Sequence, residues 1–281
     1  MPNSSGFEVG SHNATYEVVI FHGYTGSPDS FRELVQQIAD ECDARVTVPL
    51  LPGHGTKIED LQQVTFEQFL EAGRASIRAA TSTGKPLVLI GYCFGGYIAI
   101  MLAQECAPRA LVVALTPFVR RLPFGLGIVA KFLAVRGSWS KFLYPSEKKM
   151  REPFFYYHRL PGGAQLLMNE GINRISKIVP QLTMPILTIH TTNDPTCRPE
   201  SGAHILERSG HNPNNQSTTL PGRRHNLFFG PRKEEDISIV IEFLKKEFGQ
   251  QSIKNYRRPS HCSRRRIEER SALLCWSGFW F

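Results

Sequence analysis

The sequence predicts an α/β fold with a mostly parallel central sheet and helices on both faces. Short apolar runs of strand length alternate with longer amphipathic stretches, which is typical of parallel strands joined by crossover helices. The length of 281 residues, with 41% hydrophobic and 21% charged side chains, is that of a globular chain that buries a core without disulfides. A collagen, a coiled coil and a wholly disordered chain are therefore excluded.

The predicted strands are six short runs rich in aliphatic and β-branched residues. In chain order they are Tyr16 to Phe21, Arg45 to Leu50, Pro86 to Tyr92, Ala110 to Phe118, Met184 to His190 and Ser217 to Leu220. Because most of these runs are apolar at successive positions rather than at alternate ones, we expect both faces of the sheet to be covered.

The first predicted helices begin at residues that favour helix capping. Ser30 with Glu33, and Thr65 with Gln68, have the spacing of a capping box, in which each residue satisfies a free backbone N–H of the other. An apolar stripe with helical spacing accompanies the first box and consists of Phe31, Leu34, Val35 and Ile38. Further helices are expected over Tyr97 to Gln104, over Pro199 to Arg208, and up to Glu247.

About 65 residues separate the strand ending at Phe118 from the strand starting at Met184, far more than the dozen or so that a crossover needs. We predict a small helical cap inserted at about residues 119–182, over the carboxyl ends of the strands. The insertion is rich in aromatic residues: Phe124, Phe132, Trp139, Phe142, Tyr144, Phe154, Phe155, Tyr156 and Tyr157. Such insertions shape substrate pockets, and an aromatic packing subdomain without a ligand role is the alternative.

The net charge of +8 is concentrated at the carboxyl end of the chain. Residues 251–281 have seven basic and two acidic side chains, a net charge of +5, which leaves +3 for residues 1–250. The charge therefore does not indicate a nucleic-acid-binding domain, and no nucleic-acid partner is expected. We predict that residues 250–281 form a disordered or loosely docked basic tail with an aromatic end. Peripheral contact of this tail with an anionic membrane is the alternative.

Residues 1–14 form a polar segment without the basic and apolar regions of a signal peptide, and no apolar run approaches the roughly 20 residues that span a bilayer. A cytoplasmic protein is therefore expected. The six cysteines lack the dense spacing of a disulfide framework. Asp194, Cys197, His204 and His211 are near one another in the sequence but match no zinc pattern, so neither a metal nor a cofactor is expected. The oligomeric state stays open.

The third predicted strand leads into the segment GYCFGG, residues 91–96, directly before a helix. In this strand, turn and helix context, G-x-C-x-G-G is typical of a nucleophile elbow. The turn is so sharp that positions such as Gly91 and Gly95 must have almost no side chain. Cys93 would then lie at a helix amino terminus, where the dipole and free N–H groups favour a thiolate. A small buried core cysteine is the alternative.

Backbone amides near Cys93 are candidates for an oxyanion hole. The loop HGYTGSP, residues 22–28, follows the first strand and would present the Tyr24 amide toward the nucleophile. The second amide would be that of Phe94, directly after Cys93. His22 is not predicted to act as an acid or base, because this loop is expected to act through its backbone N–H groups.

Two residues late in the chain complete the candidate site. Asp194 follows a buried strand, and His225 lies in the loop before the last helix. The chain order of nucleophile, acid and histidine predicts that Asp194 fixes the imidazole of His225, which then transfers the proton.

Over about residues 15–249 the chain resembles the α/β-hydrolase superfamily, and within it the small-cap carboxylesterase and monoacylglycerol lipase group. The resemblance depends on HGYTGSP (22–28), LPGHG (51–55), GYCFGG (91–96), Asn193-Asp194 and His225. It implies an α/β-hydrolase fold with triad positions at Cys93, Asp194 and His225 and oxyanion positions at Tyr24 and Phe94. It also implies that the LPGHG segment shapes the fold rather than the chemistry.

The chain departs from this group in having Cys93 where the group's esterases have serine. A cysteine at this position is similar to dienelactone hydrolases and to polyhydroxyalkanoate synthases, and it would form a thioester acyl-enzyme. We expect hydrolysis of a small-molecule ester or acyl substrate with an apolar group. Acyl transfer, or cleavage of thioesters or lactones, through the same intermediate is one alternative. Another is a non-catalytic binding protein on a hydrolase scaffold, or an esterase disabled by replacement of its serine.

Overall fold

The central sheet has seven strands in the computed structural model, which describes residues 4–119, 138–140, 154–161 and 163–249. The described residues contain nine strands, seven in this sheet and two in a smaller one. They are β1 (Phe7–Val9), β2 (Tyr16–Phe21), β3 (Ala44–Val48), β4 (Leu87–Tyr92), β5 (Ala110–Ala114), β6 (Ser138–Ser140), β7 (Arg159–Pro161), β8 (Ile186–Thr191) and β9 (Gln216–Leu220). The order in the sheet is β1-β3-β2-β4-β5-β8-β9, and β6 pairs with β7 in a separate two-stranded sheet. All pairs in the large sheet are parallel except β1 with β3. The predicted mostly parallel α/β fold is confirmed.

Seven α-helices lie within the described ranges. They are α1 (Arg32–Cys42), α2 (Ile58–Gln63), α3 (Phe66–Thr81), α4 (Phe94–Cys106), α5 (Ala164–Ile178), α6 (Ser201–Arg208) and α7 (Lys233–Gly249). Short 3₁₀ turns cover Pro28–Phe31, Val179–Gln181 and Leu227–Phe229. Among the helices of the described ranges, none has the length and apolar character needed to cross a membrane.

Both faces of the sheet are covered, as the continuous apolar runs predict. All six residues of β2 are buried, and its apolar residues alternate between two separate hydrophobic clusters. Val19 and Phe21 join the cluster formed with α3, α4 and α5, whereas Val18 and Ile20 join the cluster formed with α1 and α7. The predicted apolar stripe is confirmed, since each of its four side chains is at most 1% exposed. Three of them lie on α1, and Phe31 ends the 3₁₀ turn directly before it.

The observed strand ends differ from the prediction where the backbone leaves the extended conformation. Strand β5 ends at Ala114 rather than at Phe118, because Leu115 adopts a φ of +49°. Strand β8 starts at Ile186, after a proline that has no N–H to donate to a neighbouring strand. Strand β1 was not predicted, because three residues are too few to show an alternating pattern.

One of the two predicted capping boxes is confirmed and the other is wrong. The Thr65 hydroxyl accepts the Gln68 N–H at 3.3 Å, and the Gln68 side chain accepts the Thr65 N–H at 2.8 Å. Ser30 instead lies inside the 3₁₀ turn that begins at Pro28, and Glu33 pairs with Lys233 of α7. A proline at the first position starts this turn before the serine can act as a cap.

Half of the predicted cap at residues 119–182 lies outside the described residues, and so does the whole predicted tail at 250–281. The described part of the insertion contacts the rest of the fold at several places, including the loops around Thr25 and Gly53 and helix α4. Tyr157 donates its N–H to the Thr25 carbonyl at 3.0 Å and its hydroxyl to the Gly53 carbonyl at 2.7 Å. Helix α5 packs on α4 in the main core, where Gly171 faces the ring of Tyr97.

The order of the strands creates a topological switch point between β2 and β4. After β2 the chain forms β3 on one side of it, and it then crosses to form β4 on the other side. In open α/β sheets, ligands bind outside the carboxyl ends of the strands at such a point. The loops that follow β2 and β4 meet there.

Candidate active site

Cys93 joins β4 to α4 in a backbone conformation that side-chain-bearing residues rarely adopt. Its φ is +54° and its ψ is −116°. Strain of this kind costs about 1–3 kcal/mol and persists only where the surrounding structure enforces it. The Cys93 N–H donates to the Ala114 carbonyl at 2.8 Å, and the Cys93 carbonyl accepts the Gly96 N–H at 3.1 Å. The side chain is partly exposed.

Three glycines make this turn sterically possible. A Cβ on Gly91 would lie 2.4 Å from the Gly96 Cα, and a Cβ on Gly95 would lie 2.0 Å from the Phe21 carbonyl oxygen. A Cβ on Gly96 would lie 1.8 Å from the Thr116 hydroxyl. The glycines are therefore required by close approach of neighbouring backbone and side-chain atoms, and none of the three has a positive φ.

Asp194 and His225 meet beyond the carboxyl end of β8. His225 Nδ1 lies 2.6 Å from Asp194 Oδ2, and the Asp194 side chain is fully buried. Asp194 Oδ1 accepts the backbone N–H groups of Thr196 at 2.7 Å and Cys197 at 3.0 Å. Burial raises the pKa of Asp194, but the charge of His225 and the hydrogen bonds from His225 and Thr196 keep this pKa below its usual range.

The side chain of His225 also interacts with that of Cys93. Burial alone lowers the pKa of His225, but the negative charges of Asp194 and of a Cys93 thiolate, with their hydrogen bonds, raise it to about 10. The ring of Tyr92 packs edge-on against the imidazole, with 5.4 Å between ring centres. His225 is thus hydrogen-bonded to Asp194 and interacts with Cys93.

Thr196 belongs to this network, and the sequence analysis missed it. Its hydroxyl donates to Asp194 Oδ1 at 2.7 Å and lies 2.9 Å from His225 Nδ1. The spacing of two residues between Asp194 and Thr196 is that of an Asx turn, which could have indicated the contact with the carboxylate. The contact with His225 has no local sequence signal, because 29 residues separate the two.

The loop after β2 lies beside Cys93, and His22 orients one of its peptide groups. A Cβ on Gly23 would lie 3.4 Å from the Cys93 Cβ. The Gly23 carbonyl, in the same peptide group as the Tyr24 N–H, lies 3.0 Å from His22 Nδ1 and accepts the Gly26 N–H at 3.0 Å. His22 Nε2 accepts the Leu51 N–H, so the ring proton is on Nδ1. Burial and the neighbouring His54 lower the pKa of His22 well below its ordinary value, which keeps the ring neutral.

His54 holds the other side of the same loop. Its Nε2–H donates to the Tyr24 carbonyl at 2.5 Å, which connects the LPGHG segment to the loop after β2. The rings of Tyr24 and Phe94 pack together with centres 5.2 Å apart. The Phe94 N–H is the first of α4 and has no partner within its own helix, as at every helix amino terminus.

A comparison with protein families matches residues 18–234 to the alpha/beta hydrolase family. The chain belongs to this family. The thermostable monoacylglycerol lipase of Bacillus sp. (strain H-257) is 29% identical to this hydrolase over 95 residues. That match covers 34% of the present chain and 38% of the lipase, so it spans well under half the length of this relative.

Solved structures of lipolytic enzymes share the fold of this hydrolase. A structure from LipS and LipT, two metagenome-derived lipolytic enzymes, matches with a TM-score of 0.74 at 19% identity. The matched region covers 88% of this chain and 99% of the chain in that structure. The monoacylglycerol lipase of Paleococcus ferrophilus has a TM-score of 0.71 at 18% identity, covering 86% of this chain and 98% of its own. At these identities the likeness concerns the fold, which is that of lipases and esterases.

The acidic, cysteine and histidine residues that follow β8 in this hydrolase do not converge on one point. His204 lies on α6 and contacts Glu207 at 3.1 Å, whereas Asp194 is bound to His225. In the described part of the chain, no three His, Cys, Asp or Glu side chains are placed to hold a metal ion.

Proposed function

We propose that this α/β hydrolase cleaves carboxylic esters through a covalent acyl-enzyme on Cys93. The observation that supports this proposal best is the position of His225, which is hydrogen-bonded to Asp194 and interacts with Cys93, beside a strained elbow where a strand turns into a helix. A nucleophile in contact with a base that a third group orients is the arrangement that acyl transfer requires.

In the proposed reaction, the thiol proton has already passed to His225, whose raised pKa favours the imidazolium, and Cys93 Sγ attacks the ester carbonyl carbon as a thiolate. The carbonyl π electrons move to oxygen, and the N–H groups of Tyr24 and Phe94 stabilise the oxyanion. Collapse breaks the bond to the alcohol, which leaves with the proton from His225, and a thioester stays on Cys93. Water then attacks with His225 as base, releasing the acid and the thiol. Asp194 holds the proton of His225 on Nδ1 throughout.

The proposed substrate is a small ester with an apolar acyl or alcohol group. The Bacillus relative is a monoacylglycerol lipase, which supports an ester of this type. Aromatic rings beside His225 support it independently. Phe229 lies 6.3 Å from the ring of Tyr92 and 6.1 Å from that of Phe154, so apolar rings continue from the imidazole to the insertion. A cytoplasmic location, and action without metal or cofactor, stay predictions from the sequence.

Acyl transfer is the second candidate function, because the proposed intermediate on Cys93 is a thioester. A thioester can pass its acyl group to an alcohol or thiol as well as to water. Adding a small alcohol to the ester assay separates the two reactions. Hydrolysis yields only the free acid, whereas transfer yields a new ester in proportion to the alcohol concentration.

We expect Asp194→Asn to change both the rate and the pH dependence of aryl-ester hydrolysis. The carboxylate of Asp194 raises the pKa of His225, so its loss should move the alkaline limb of kcat/KM from near pH 10 to lower pH. The rate at neutral pH should fall roughly 100- to 10,000-fold, because the imidazole loses its orientation. Steady-state hydrolysis of short and medium aryl esters from about pH 5 to pH 11 measures both effects. An identical alkaline limb in both proteins, or no turnover by the native chain, contradicts the proposed function.

A further inference from the structure

Thr116 contacts the backbone of the elbow from the segment after the neighbouring strand, β5. It follows β5 and is completely buried. Its hydroxyl donates to the Cys93 carbonyl at 3.0 Å, while a second carbonyl, that of Ala114, lies at 3.4 Å. A hydroxyl has one proton to donate, and the Cys93 oxygen is the nearer acceptor.

The space for this hydroxyl exists because residue 96 is glycine. A Cβ at Gly96 would overlap the Thr116 Oγ1. The N–H of Gly96 also donates to the Cys93 carbonyl. The Thr116 hydroxyl and the Gly96 N–H therefore both donate to the Cys93 carbonyl oxygen. Cys93 is the residue with the strained φ of +54°.

The backbone of Thr116 is itself fixed to the strand that leads to Asp194. His190 Nε2 lies 3.1 Å from the Thr116 carbonyl, so this ring nitrogen carries the proton and donates. His190 is on β8 and is buried, and Asp194 follows it by four residues. Thr116 thus lies between the elbow and the strand that carries the carboxylate.

We propose that Thr116 is a positioning residue that keeps Cys93 in its strained conformation and so keeps the sulfur in contact with His225. Relaxation of the Cys93 φ toward ordinary values would rotate both its carbonyl and its Cα–Cβ bond. The Thr116 hydroxyl opposes that rotation by binding the carbonyl. The consequence for ester cleavage rests on the proposed function, but the geometry of the thiol does not.

The test is the rate at which iodoacetamide alkylates Cys93 between about pH 5 and pH 9, followed by peptide mass spectrometry. Thr116→Ser and Thr116→Ala both lack the γ-methyl group and differ only in the hydroxyl. Thr188→Ser and Thr188→Ala are the matched control pair, because Thr188 is buried in the same sheet and its hydroxyl bonds Ser217. Cys106, partly exposed on α4, is the internal reference in every sample.

We expect Thr116→Ala to be alkylated at Cys93 about tenfold more slowly than Thr116→Ser, the effect of one hydrogen bond. The pH profile should shift only in Thr116→Ala, and the two Thr188 variants should match each other. Equal rates and profiles at Cys93 in the two Thr116 variants overturn the proposal, even where Thr116→Ala unfolds at lower temperature. If no variant hydrolyses esters but the difference in alkylation persists, the proposed function fails and the positioning role of Thr116 stands.

Discussion

Replacement of Cys93 by alanine is expected to lower kcat/KM for aryl esters by about 10,000-fold or more, since the proposed acyl-enzyme can no longer form. The fold should survive, because the side chain is only partly buried and alanine is smaller. Cys106→Ala is the matched control, since this cysteine is the last residue of the helix that follows Cys93 and should be dispensable. Steady-state kinetics with a common aryl ester compares the three proteins.

Cys93→Ser extends this comparison, because it keeps a nucleophile of similar shape but removes the sulfur. We expect lower activity than in the native chain, since a serine hydroxyl needs full deprotonation by His225 during attack. Retained activity in Cys93→Ala contradicts the nucleophile assignment. A native chain without activity and an active Cys93→Ser variant would mean that the cysteine disables an esterase scaffold.

The second large effect is expected for Gly95→Ala. The added Cβ would lie 2.0 Å from the Phe21 carbonyl oxygen and 2.7 Å from that of His22, both of them backbone atoms at the end of β2. Helix α4 would have to move away from the sheet. We expect the free energy of unfolding to fall by about 3 kcal/mol or more, as in other severely overpacked positions.

Gly249→Ala is the control for this substitution. No described atom lies within 4 Å of a Cβ at Gly249, the last residue of α7. Its free energy of unfolding should stay within about 0.5 kcal/mol of that of the native chain. Urea unfolding followed by circular dichroism measures the free energy of unfolding of the native chain, of Gly95→Ala and of Gly249→Ala. Equal stability of Gly95→Ala and Gly249→Ala would show that α4 does not pack on β2 as closely as described.

The strands that cross the core could be predicted from the sequence because burial constrains every residue in them. The predicted bounds of β2 agree with the observed strand at both ends. The segment GYCFGG could likewise be interpreted, since its glycine pattern between a strand and a helix is typical of this sharp turn. Two of its glycines, Gly95 and Gly96, are required by contacts with Phe21 and Thr116, which the sequence does not show. The capping box of Thr65 and Gln68 could be predicted because all of its partners are within four residues.

Features that depend on tertiary contacts could not be predicted from the sequence. Ser30 has the spacing of a cap, but Pro28 starts the turn first and Glu33 has a partner 200 residues away. The contact of Thr196 with His225 and the bond from Thr116 to Cys93 join residues 29 and 23 positions apart. Threonine at either position has no local signal, because only the folded sheet brings these groups together.

The measurement that tests the central proposal most directly is mass spectrometry of the native chain after rapid mixing with a medium-chain aryl ester and an acid quench. We predict a mass increase equal to the acyl group, located on the peptide that contains Cys93 and removed by hydroxylamine, as for a thioester. The increase should be absent from Cys93→Ala. An acyl group on another residue, or release of the phenol without any acyl group on Cys93, contradicts the proposed mechanism.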